Sequence, residues 1–117
     1  MAGDAMTLLL TGWLTWYAAT GNPLRCTNVP WSTDDKWIAV DIDAYGWRCG
    51  DLVRVTVGDD EMLLPVLDSG PLSAYNIRGV EIVADLPAHL WRWPGLSVMG
   101  TVVNVTGGLR EQLCLEK

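Results

Sequence analysis

Between residues 52 and 57 the chain alternates strictly, with Leu52, Arg54 and Thr56 on one side and Val53, Val55 and Val57 on the other. That is the period of a strand with one face in a core. Gly58-Asp59-Asp60 supplies turn chemistry before the apolar-rich run 62–67, so the two runs read as a hairpin. Further strand patterns cover 12–18, 37–42, 79–84 and 97–105. Six short strands separated by turn signals predict an all-β barrel or sandwich. One segment departs from this period. Asp85 stands before Leu86-Pro87-Ala88-His89-Leu90-Trp91, where an N-cap acid, a proline in the first turn and apolar residues four apart predict a short helix over 86–92. Pro94-Gly95 ends it.

At 117 residues, half of them hydrophobic, the chain is one ordered domain with no repeat, linker or low-complexity tract. Fourteen acidic against eight basic residues give a net charge of −6. That balance excludes nucleic acid as a partner, because phosphate binding needs a basic footprint. No stretch has the length of a membrane span. The run from Met6 to Tyr17 faintly resembles a signal core, but Asp4 precedes it, no basic segment leads it, and Gly12 and threonines interrupt it. It reads as the first strand, with no clear signal peptide.

Seven Trp and three Tyr occur without a single Phe. Both types join an apolar face to a polar handle and suit half-exposed grooves as well as cores. Cys26, Cys49 and Cys114 lack zinc-ribbon spacing and His89 is the only histidine, so no metal site and no cofactor are expected. Cys26 and Cys49 lie in polar connecting segments of the same half and form the better disulfide pair. No triad motif surrounds a Ser or Cys, and no glycine-rich phosphate loop is present.

The sharpest chemical feature is Leu64-Pro65-Val66-Leu67-Asp68-Ser69-Gly70-Pro71. An apolar run ends in a carboxylate, and Gly-Pro then turns the chain. Apolar neighbours would raise the pKa of Asp68 and let it serve as a general acid. Capping of the turn by the same side chain is the structural alternative. Asp85 carries the same ambiguity between N-cap and acid. Asp41 and Asp43 read as a solvated strand face on either side of Ile42, and 59–61 as a turn.

The order of pieces now becomes recognisable. Gly-x-x-Thr-Trp-Tyr opens the first strand, followed by a Cys, an Ile-Ala-Val strand and Cys-Gly before the alternating strand. Asp-Ser-Gly-Pro, Asp-Leu-Pro and a final Gly100-Thr-Val-Val-Asn-Val complete the series. This resembles the six-stranded double-psi β-barrel of the rare-lipoprotein-A, expansin and endolytic-transglycosylase group, over residues 12–105. The resemblance implies an all-β barrel with one short helix. It divides the chain into an N-terminal extension (1–11), the barrel (12–106) and a C-terminal tail (107–117).

The resemblance places Asp68 at the floor of a glycan groove and Asp85 as a second acid, with Glu81 as the alternative position for it. Thr15 maps onto the threonine that supports the groove. Trp16, Tyr17 and Trp47 are the expected stacking residues, at least one of them partly exposed near Asp68. Three features depart from the group: the strand-one aspartate of the barrel endoglucanases is missing, the stretch between Asp68 and Asp85 is longer, and Ser69 stands where Arg is frequent. The implied activity is cleavage of peptidoglycan glycan strands, lytic-transglycosylase-like or as a glycoside hydrolase, with Asp68 as acid/base. The alternatives are a non-catalytic structural or glycan-binding module of a phage virion tail, contacting other tail proteins, and an expansin-like wall-loosening protein. Either origin implies a virion, extracellular or periplasmic location.

Overall fold

The computed structural model describes residues 8–18, 23–28 and 35–106. The tail from 107 onward, Cys114 and the start of the signal-like run lie outside them. Seven strands follow in order: β1 (Leu9–Tyr17), β2 (Ile38–Val40), β3 (Leu52–Val57), β4 (Asp60–Ser69), β5 (Asn76–Ile77), β6 (Val80–Pro87) and β7 (Ser97–Asn104). A single helical turn, α1 (Ile42–Tyr45), follows β2. Six strands close a ring in the order β1-β7-β3-β4-β2-β6 and back to β1, with β5 added beside β6. The expected all-β barrel with one short helix is therefore the observed fold, and β3–β4 is the expected hairpin. β1 begins at Leu9, earlier than the predicted 12.

Inward positions of every ring strand fill the core: Leu14, Ile38, Val40, Val53, Val55, Leu64, Val66, Ala84, Leu86 and Val102. Strands β1–β6 and β2–β4 pair in parallel, whereas the remaining ring pairs are antiparallel. Both parallel pairs contain an irregularity. Trp13 and Leu14 face Ile82 and Ala84, so Val83 is an extra residue in β6. Ile38 and Ala39 face Val66 and Asp68, so Leu67 is an extra residue in β4. An inserted residue reverses the side-chain alternation of everything after it. Up to Val66 the even-numbered positions of β4 face inward, yet Asp68 faces out. Likewise Asp85 is paired with the outward Thr15, while Leu86 stays in the core.

The helix is not where the pattern put it. Leu86 and Pro87 are the last residues of β6, and only a 3₁₀ turn follows at Ala88–Leu90. Asp85 thus sits inside a strand and caps nothing. The residue that does cap a helix is Asp41, whose carboxylate accepts from the Ala44 N–H of α1. It also accepts from the Ser73 N–H and hydroxyl. Burial acts to raise the pKa of Asp41, but the Ser73 and Ala44 donors outweigh it and hold the carboxyl below its ordinary value. Its buried position corrects the solvated strand face expected for Asp41, while Asp43 is exposed.

Candidate functional site

Cross-strand partners project to the same face of a sheet, so the register defines one continuous outward row. Ser97 of β7 faces Thr15 of β1, Thr15 faces Asp85 of β6, Asp85 faces Ala39 of β2, and Ala39 faces Asp68 of β4. Both acids belong to this row because each lies just beyond an extra residue in its strand. With neighbouring strands ~4.8 Å apart, the Cα atoms of Asp68 and Asp85 are separated by roughly 10 Å. Ala39 between them offers only a methyl group.

The two acids have different surroundings. Asp85 is largely buried, and its Oδ1 accepts the Thr15 hydroxyl at 3.0 Å. Its Oδ2 has no hydrogen-bond partner among the described residues. Burial raises its pKa from 3.8 to about 6, the Thr15 hydrogen bond works against the rise, and the charge of Asp68 adds to it. Asp85 therefore exchanges its proton near pH 6, above the ordinary carboxyl range. Asp68 is held by two donors distant in sequence: Oδ2 accepts the Tyr17 hydroxyl at 2.8 Å and Oδ1 the Arg25 N–H at 3.0 Å. The apolar surroundings expected for Asp68 are thus replaced by donors at both oxygens, and these bonds are not those of a local turn cap.

Tyr17 lies two residues beyond Thr15 on the same face of β1. Its hydroxyl receives the Trp37 indole N–H at 2.8 Å while donating to Asp68. Burial pushes the phenol well above its usual range, the Trp37 bond lowers it, and Asp68 and Asp85 raise it further. Tyr17 is thus a neutral donor, and with the buried Trp37 it walls one side of the acid row.

Arg25 is placed by the segment at 23–28. Cys26 and Cys49 are joined by a disulfide with Cα atoms 5.5 Å apart. The Cys26 N–H donates to the carbonyl of Leu67, the extra residue of β4, at 2.9 Å. One short tether therefore holds both the irregularity that turns Asp68 outward and the N–H that grips it. Among the described residues the Arg25 guanidinium pairs with the exposed Asp43, at 3.4 Å.

The remaining sequence candidates fall elsewhere. Trp47 is 2 % exposed and belongs to the core, which corrects its expected place in a groove. Its polar context in the sequence concealed this. Trp16 is 36 % exposed but has the inward parity of Leu14, at the end of the barrel rather than on the acid row. Glu81 is four residues before Asp85 in β6, bonded to the Tyr45 hydroxyl, and is remote from Asp68. Sequence reasoning missed Ala39, Ser97, Trp37 and the Arg25 N–H, because each acquires its place through pairing alone. Among the described residues no cluster of His, Cys, Asp or Glu could hold a metal ion. No helix there is long and apolar enough to cross a membrane.

No protein-family model and no curated protein sequence matches this chain. Among solved structures, a mutant of Clavibacter michiganensis expansin in complex with cellohexaose superimposes with a TM-score of 0.58 at 19 % identity. The apo form of Clavibacter michiganensis expansin gives a TM-score of 0.57, also at 19 % identity. Each match covers 84 % of this chain and 50 % of the other, so the chain spans half the length of the structures it resembles. The likeness shows the fold, the expansin-like double-psi β-barrel.

Proposed function

We propose that the barrel binds cell-wall polysaccharide along the Thr15–Asp85–Ala39–Asp68 row and that Asp85 is the acid that cleaves it, in the manner of a lytic transglycosylase. The observation that carries this reading is the unlike pair of carboxylates on one outward row. Asp85 titrates at about 6, above the ordinary carboxyl range, and its Oδ2 accepts no hydrogen bond among the described residues, while both oxygens of Asp68 already accept hydrogen bonds. A proton from Asp85 passes to the glycosidic oxygen as its bond to the anomeric carbon breaks. The resulting carboxylate takes the proton of the muramic 6-hydroxyl as that oxygen bonds to the anomeric carbon, closing an anhydro ring and restoring the acid. Asp68 then supports Asp85 by its charge, which reverses the roles expected from the sequence.

Two-acid hydrolysis fits less well. It requires a carboxylate ready to activate water at roughly 6.5–9.5 Å from the acid, and Asp68 is engaged by Tyr17 and Arg25. A binding role without cleavage is the second reading, favoured by the described fold neighbour in complex with cellohexaose. Mass spectrometry of purified peptidoglycan incubated with the wild-type protein and with Asp85→Asn separates these. Anhydro-muropeptides from wild type and none from the variant are expected. Reducing ends would indicate hydrolysis, and retention on the wall without products would leave the binding role.

A further inference from the structure

A second outward row runs parallel to the acid row, two residues toward the start of β1. Met99 of β7 faces Trp13, and Trp13 faces Ile82 of β6. Tyr75 extends it, its carbonyl accepting the Ile82 N–H at 3.2 Å, one step beyond the Asn76–Glu81 pair. By strand rise the two rows are about 7 Å apart. Trp13 is pinned by its indole N–H to the Ile77 carbonyl at 2.9 Å, which lays the ring across β6 toward β5. Met99 is 43 % exposed and Tyr75 58 %.

We infer that the Met99–Trp13–Ile82–Tyr75 row is a second contact strip for the polysaccharide, stacking sugar rings beside the acids. The inference rests on the reading that the acid row holds a glycan. Three observations identify the occupant. The strip is continuous with the acid row, because Trp13 and Thr15, and Ile82 and Asp85, are close neighbours on the same strands and the same face. The strip itself carries no charge, and the next outward row runs Thr11–Thr101–Thr56 and on to Glu61, whose carboxylate is paired with Arg54 at 3.4 Å. An uncharged band with two aromatic rings, flanked by hydroxyls and carboxylates, suits the ring faces of a polyhydroxylated chain. Trp13 is also immobilised by a hydrogen bond that leaves its orientation fixed before any ligand arrives, which reduces the ordering cost of stacking.

The test is binding of cellohexaose by calorimetry and of purified peptidoglycan by sedimentation, for wild type, Tyr75→Ala, Trp13→Phe and Asp85→Ala. Tyr75 is exposed, so Tyr75→Ala should melt with wild type, whereas Trp13→Phe keeps an aromatic ring but gives up the bond to the Ile77 carbonyl, so its binding is measured well below its own melting transition. Tyr75→Ala is expected to weaken binding about 5- to 100-fold, by analogy with aromatic–base stacking, and Trp13→Phe to weaken it less. Normal binding by both strip variants, with loss in Asp85→Ala, overturns the strip and leaves the acid row standing. Loss in the strip variants alone supports the strip and overturns the acid-row reading. Wild type that binds neither probe overturns both. A dimer that Tyr75→Ala converts to monomer overturns the strip as a glycan surface, because its occupant is then a second copy.

Discussion

Thr15 and Asp68 pull the proton affinity of Asp85 in opposite directions, and each can be removed separately. Thr15→Val deletes the hydroxyl that favours the carboxylate, so the Asp85 midpoint should rise above about 6. Asp68→Asn deletes a neighbouring negative charge, so the midpoint should fall; carboxyl-carbon NMR titration of both variants reads these directions. The same shift links to stability. The folded chain holds the Asp85 proton more tightly than the unfolded chain does. The resulting stabilisation is complete below 3.8 and is lost as pH rises through about 6. Thermal melts should therefore show stability falling across that window, and Asp85→Asn should flatten the dependence. Asp41 has the opposite sign: its depressed carboxyl contributes above the ordinary value and loses that contribution as pH falls. Cleavage that depends on protonated Asp85 should decline above pH about 6 in the wild-type protein.

Elements make the row possible, and close backbone approach sets how tightly they fit. A Cβ at Gly12 would lie 2.5 Å from the Glu81 carbonyl oxygen and 2.8 Å from a Val83 methyl, next to the irregularity in β6. Gly12→Ala should cost about 1–3 kcal/mol, as overpacking does, because backbone cannot step aside. Gly70→Ala, with nothing within 4 Å, is the matched control in the same denaturation series. The hairpin of β3 and β4 was legible because alternation over 52–57 reports a half-buried antiparallel strand directly. The helix was misplaced because Asp85, Pro87 and Leu90 imitate a capped first turn while Leu86 is in fact buried strand. The true helix has four residues, too few to show a period. The extra residues Leu67 and Val83 had no signal at all, since an irregularity exists only relative to a partner strand. Asp68 and Asp85 were thus identifiable as residues, but not the mechanism that turns them to one face.

At the scale of the molecule, the Cys26–Cys49 bridge closes a segment with a sequence separation of 23. On the chain-entropy account such a loop contributes about 3 kcal/mol to the folded state. Reduction should lower the melting temperature and also free the Arg25 N–H from Asp68, weakening glycan retention even at temperatures where the barrel persists; melting and retention measured with and without reductant check both effects.

The row itself draws on β7, β1, β6, β2 and β4, with residues ranging from Thr15 to Ser97 in the chain. No local fragment contains it, and two of its junctions are parallel pairings that form only after long loops close. Polysaccharide capture should consequently return during refolding with the slowest observed phase, later than strand formation seen by far-ultraviolet circular dichroism.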